Sequence, residues 1–121
     1  MALYPTSATI NQTAVAAGYL YLAAGRSGLF IIDVHEPTAP TLVQHFPLDG
    51  TAYDVTIVEP YALIAAGAAG LQVLDIRDPA QPRVVATFTT PDCAHDVVSV
   101  GRRIYLLDQW GGFYMLALTT P

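Results

Sequence analysis

The sequence predicts an all-β chain built from three copies of one four-stranded antiparallel unit. Three observations carry this. A glycine that opens an apolar run recurs at Gly28, Gly70 and Gly112, a constant spacing of 42 residues. The apolar segments are only about five to seven residues long and rich in Val, Ile, Leu and Tyr, the length and composition of strands. Gly, Pro and Asp separate them, as turns require. Four short strands in each repeat of roughly 40–50 residues is the pattern of a β-propeller blade. The expected architecture is therefore a partial β-propeller of three blades.

The elements follow in chain order. Blade 1 is expected over residues 8–48, blade 2 over 51–89 and blade 3 over 93–118, all within one unit spanning 1–121. Aligned on the period, residues 18–48 and 60–90 are identical at 11 of 31 positions, in both the apolar runs and the turns. Tyr19-Leu20-Tyr21-Leu22-Ala23-Ala24-Gly25 faces Tyr61-Ala62-Leu63-Ile64-Ala65-Ala66-Gly67, and Pro37 and Pro40 fall on Pro79 and Pro82. Blade 2 shows the unit most plainly, with strands expected over 52–58, 61–66, 70–76 and 83–89. Glu59-Pro60 and Gly67-Ala68-Ala69-Gly70 suit tight turns, because Pro presets φ and Gly accepts a positive one. Asp78-Pro79-Ala80-Gln81-Pro82 lacks two backbone donors and must be a connection. In blade 3, Ala94, Asp96, Val97 and Val100 match Ala52, Asp54, Val55 and Val58, and the fourth strand is expected to be missing.

These residues also carry a family resemblance. Asp54-Val55 at the first strand, Tyr61-Ala62-Leu63-Ile64-Ala65-Ala66-Gly67, Gly70-Leu71-Gln72-Val73-Leu74-Asp75-Ile76 and Asp78-Pro79-Ala80-Gln81-Pro82 resemble the LVIVD repeat, a propeller-forming repeat of bacterial and archaeal proteins. The likeness is strong in blade 2 and good in blade 1, where His35-Glu36-Pro37 stands for the usual Ser-Asp-Pro. It is weak in blade 3, where Ala117 replaces the aspartate. It implies the fold and a cell-surface or extracellular setting, and says little about activity.

Three blades cannot close a ring, and the two ends predict how it is completed. Shifted by the repeat, Met1-Ala2-Leu3-Tyr4-Pro5 aligns with Val43-Gln44-His45-Phe46-Pro47, placing Tyr4 on Phe46 and on Phe88. Residues 1–6 are thus expected to be an outer strand that completes the last blade of a neighbouring chain. Leu3 and Tyr4 would meet Gly112, Phe113, Tyr114 and Leu116 there. Propellers have about four to eight blades, so a homodimer of six satisfies closure and is preferred over a trimer of nine.

Composition excludes several classes. The 53% hydrophobic content and mean hydropathy of +0.41 are high for 121 residues and point to a face covered by a partner. The apolar runs are broken well short of the roughly 18–20 residues of a membrane helix. No basic stretch precedes an apolar core at the N-terminus, so no secretory signal is expected. Five Lys plus Arg against ten Asp plus Glu, scattered apart from Arg102-Arg103, give a net charge of −5 and no footprint for nucleic acid. A single cysteine, Cys93, excludes an internal disulfide and multi-cysteine zinc patterns. No cofactor fingerprint or nucleophile elbow is present, and no cofactor is expected.

In a propeller, ligands gather at the channel mouth. This singles out Asn11, Tyr53, Asp54, His95 and Asp96 at the starts of the inner strands, with Arg26, Gln109 and Trp110 in the loops between second and third strands. Trp110 is the candidate contact anchor. His95, Asp54 and Asp96 are residue types that bind divalent cations, with Glu59 a further carboxylate, but a carboxylate bracing its turn accounts for the aspartates as well. Cys93 and His95 share a side of their strand, without an orienting third group. The function expected is a non-enzymatic binding module that assembles into a complete ring and presents loops to a protein, peptide or glycan. The alternative is a metal-dependent hydrolase or lyase at the channel mouth.

Overall fold

The computed structural model describes residues 10–36, 38–90, 93–108 and 112–118. Within them the chain is all strand and turn, and no helix is long and apolar enough to cross a membrane. Eleven strands form three antiparallel sheets. The first sheet is β1 (Gln12–Ala16), β2 (Tyr19–Ala23), β3 (Leu29–Asp33) and β4 (Thr41–Phe46). The second is β5 (Asp54–Val58), β6 (Tyr61–Ala65), β7 (Leu71–Asp75) and β8 (Arg83–Phe88). The third is β9 (Ala94–Val100), β10 (Arg103–Asp108) and β11 (Phe113–Ala117). Strands pair in chain order, so each sheet is a meander: the three blades the repeat predicts. Residues 1–6, expected to form an outer strand, lie outside the described residues.

The repeat fixes geometry as well as sequence. Ala65 pairs with Leu71 as Ala23 does with Leu29. The ladder between third and fourth strands slips between Ile31 and Ile32 in blade 1 and between Val73 and Leu74 in blade 2, the same place in both. Gly28 and Gly70 sit at φ +88° and +76°, with no room for a Cβ: at Gly28 it would lie 2.5 Å from the Phe46 carbonyl oxygen. The turn brings the backbone onto the outer strand, which only glycine allows.

Two apolar layers hold the blades together. Tyr21, Leu29 and Ile31 of blade 1 pack against Val55, Ala62, Ile64 and Leu74 of blade 2. Leu63, Leu71 and Val73, on the other face of blade 2, pack against Val97, Ile104 and Leu106 of blade 3. Blade 2 buries both faces, which is why β6 and β7 read as continuous apolar runs rather than alternating ones. Adjacent blades are also latched by backbone. Gly25 and Ala52 exchange N–H to carbonyl bonds of 3.1 and 2.9 Å, and Gly67 and Ala94 do the same at 2.9 Å each.

Candidate functional site

The inner strands β1, β5 and β9 lie side by side, so the residues at their N-terminal ends converge on one mouth. The Asn11 side-chain amide donates to the Ala52 carbonyl at 2.9 Å, tying blade 1 to blade 2. One repeat on, the rings of Tyr53 and His95 stack with centroids 4.4 Å apart and planes 24° from parallel. The sequence brings these positions together, as the period implied. Their mutual contacts were not legible, because they depend on the stagger between blades.

Asp54 is the most constrained carboxylate at the mouth. One oxygen accepts the N–H of Val55 at 2.9 Å and the other accepts the N–H of Val97, in the next blade, at 3.0 Å. Its pKa is nevertheless raised from the ordinary 3.8, chiefly because burial penalises the charge, against the pull of those two N–H groups. Asp96, its repeat equivalent, is exposed; the His95 imidazole lies beside it, with Nδ1 3.9 Å from its carboxylate, and the Asp96 charge adds to the raising of the Asp54 pKa. Farther along the same strands, the Thr56 and Ser99 hydroxyls meet at 3.2 Å. Arg26 is exposed in its loop. Gln109 and Trp110 lie outside the described residues.

Asp33 and Asp75 brace turns. Asp33 accepts the N–H of His35 and Asp75 that of Arg77, each at 2.9 Å, and those N–H groups are the leading reason both carboxyls sit below their usual range. Asp75 additionally holds the Arg77 guanidinium at 2.6 Å. Glu59 lies in the β5–β6 turn, at the far end of β5 from the mouth, and cannot join the carboxylates there. His95 stacks on Tyr53, and no hydrogen bond joins it to Cys93 among the described residues. Among those residues no group of three or more His, Cys, Asp or Glu comes close enough to hold a metal ion. Phe113 faces away from blade 2, whereas Tyr114 and Leu116 face into it, Tyr114 edge-on to Phe88 at 5.7 Å. Any part those two take in an interface between chains must come through the backbone of β11.

Residues 11–47 and 49–90, blades 1 and 2 almost entire, match the LVIVD repeat. The chain belongs to the LVIVD repeat family. Blade 3 falls outside the matched repeats but keeps the order of the first three strands of blades 1 and 2 and the same latch to its neighbour. Over 98% of this LVIVD-repeat chain and 96% of the other, the fold is similar to the crystal structure of the computationally designed Ika4 protein, with a TM-score of 0.60 at 8% identity. At that identity the likeness concerns fold alone. No curated protein matches the chain.

Proposed function

We propose that this protein is a non-enzymatic binding module that assembles with a second copy into a six-bladed ring and presents its mouth residues to a ligand. The observation that carries the assembly is the face of blade 3 turned away from blade 2. Val98, Val100, Leu107, Phe113 and Met115 are 38–63% exposed there. An apolar patch of this kind on one side of a sheet marks an interface. Its occupant is blade 1 of another chain, because the same stacking of inner strands already occurs twice within this one, β1 on β5 and β5 on β9. Val15 of β1, 67% exposed, is available for that contact.

The polar pattern supports the same partner. Asp54 reaches from blade 2 to the N–H of Val97 in blade 3. Asp96 stands one repeat later and would meet the equivalent N–H, that of Thr13, in the second copy, where it would share that donor with, or replace, the Gln12 Oε1 that accepts it at 3.1 Å within the chain. A metal-dependent hydrolase or lyase built on His95, Asp54 and Asp96 is the weaker reading, because both Asp54 oxygens are already engaged by backbone N–H groups.

Light scattering on the full chain at low micromolar concentration tests the assembly. The expected mass is twice that of the chain, and Phe113→Glu with Met115→Lys should halve it while leaving the strand circular-dichroism signal intact. A wild-type chain that stays monomeric up to the highest soluble concentration would overturn the proposal.

A further inference from the structure

A second site lies at the opposite end of the blades from the mouth. There the β1–β2 turn at Ala17 and the side chains of Tyr19 and Tyr21 face Glu59 and Pro60 of the β5–β6 turn and Arg77 beyond β7, across a cleft of about 360 Å³. Tyr21 is only 2% exposed, yet its hydroxyl makes no hydrogen bond among the described residues. No buried side-chain nitrogen or oxygen is sealed off without a partner, so that hydroxyl is reached from the cleft. A phenol with an otherwise buried ring ordinarily finds a hydrogen-bond partner, and here that partner must be water or a ligand in the cleft.

Blade packing does not require this phenol. The repeat equivalent of Tyr21 is Leu63, wholly buried between blades 2 and 3, and the space there is lined by Leu71, Val73, Ile104 and Leu116. The repeat equivalent of Glu59 is Gly101. Tyr19 recurs as Tyr61 and the Tyr21 phenol as Tyr105 in the third repeat, but between blades 2 and 3 the phenol and the carboxylate are both absent, so among the described residues Tyr21 and Glu59 come together at the junction of blades 1 and 2. Their neighbours in the cleft are held in place. The Tyr19 ring stands edge-on to His35 at 5.0 Å, and His35 Nδ1 is held by Asp33 at 2.8 Å. Arg77 is fixed by its ion pair with Asp75. Side chains locked this way suit a preorganised site.

We infer that this cleft binds a neutral, polyhydroxylated molecule the size of one sugar ring. Glu59 accepts hydrogen bonds, Arg77 donates them, and the two phenols do both. Glu59 and Arg77 line the cleft without pairing with each other, so a ligand of either net charge is attracted by one and repelled by the other. Hydroxyl groups satisfy all four side chains, and the tyrosine rings offer apolar surface to the C–H face of a sugar. Burial, with Tyr19 and Glu59 adding to it, pushes the Tyr21 hydroxyl up to about 12, so it remains a neutral donor across the physiological range. The cleft lies within one chain and does not depend on ring closure.

The test is titration of the full chain with D-glucose, D-galactose and N-acetylglucosamine, followed by amide shifts in NMR, with glycine, tetramethylammonium and inorganic phosphate as controls. At least one sugar should saturate with a Kd of about 1 mM or tighter. Tyr21→Phe should weaken that binding at least tenfold while leaving the thermal midpoint unchanged or higher, and the exposed change Glu59→Gln should weaken it too. Binding of none of the sugars, or of a control alone, overturns the inference. So does sugar binding that survives Tyr21→Phe, or a Tyr21→Phe variant that is markedly less stable, since the hydroxyl would then serve the fold.

Discussion

Replacing Asp54 by alanine removes a side-chain hydrogen bond from a mouth carboxylate in one blade to the backbone of the next. The bond to the Val97 N–H, at 3.0 Å and partly buried, is a hydrogen bond to a charged group, worth about 1.5–3 kcal/mol. The bond to Val55 is local and contributes at the lower end, about 0.5–1 kcal/mol. Against these, alanine relieves the burial of the charge, which the raised pKa shows to be unfavourable. Water reaches the half-buried site and solvates part of what is left. The balance is a loss of about 2 kcal/mol, which moves the midpoint of a urea unfolding curve by about 1 M. Asp96→Ala is the companion. Exposed, with His95 beside it and the like charge of Asp54 close enough to repel it, Asp96 should cost less than about 0.5 kcal/mol in the isolated chain. Both are measured by urea unfolding at neutral pH. A loss below about 0.5 kcal/mol for Asp54→Ala, or equal losses for the two variants, would refute the view that Asp54 stitches blade 2 to blade 3.

Glycine at the strand turns offers a second check. Gly70→Ala must adopt φ +76° and drive its Cβ into the Phe88 carbonyl oxygen, whereas Gly101→Ala, at φ +60°, meets no atom within 4 Å. Thermal melts should show about 3 kcal/mol or more lost for the first and about 1 kcal/mol for the second; similar losses would remove the close approach as the reason for glycine at position 70. A third check is pH. Asp33 and Asp75 are held below 3.8, so the stability they contribute is present above that value and lost as pH falls through their folded values. Asp54 has the opposite sign: raised above 3.8, its contribution is neutral in strong acid and turns against folding as pH rises through its folded value. The stability of wild type relative to Asp54→Asn should therefore fall with rising pH above about 3.8, and a difference that grows instead would reverse the assignment for Asp54.

The blades were legible in the sequence because the repeat encodes them redundantly. Gly28, Gly70 and the paired Pro-rich connections fix where chains turn, and the turns leave only short runs to become strands. Strand limits shifted by a residue or two, as with 70–76 against the observed Leu71–Asp75, because the glycine belongs to the turn that presses on the outer strand. The convergence of Asn11, Tyr53 and His95 on one mouth was likewise implied by their common place in the repeat. The bonds there were not. The reach of Asp54 to Val97 and of Asn11 to Ala52 depends on how one sheet is staggered on the next, which no single-strand pattern records. The cleft of Tyr21, Glu59 and Arg77 was hidden for another reason: its residues come from β2 and from two turns far apart in the chain, and Tyr21 reads as core. Comparison with Leu63 marks it as a departure from blade 2, while Tyr105 keeps the phenol in the third repeat.

The paired backbone bonds between Gly25 and Ala52 and between Gly67 and Ala94 make this molecule a string of nearest-neighbour couplings. Blade 1 and blade 3 influence each other through blade 2, which is latched on both sides and carries a central strand buried at every position. A disturbance in one flank is thus damped before it reaches the other, and the middle blade is the last to loosen. The number of blades in a ring then becomes a question of the angle at each latch rather than of what any one blade contains. That is the freedom a lineage needs to lengthen or shorten such a ring by whole repeats.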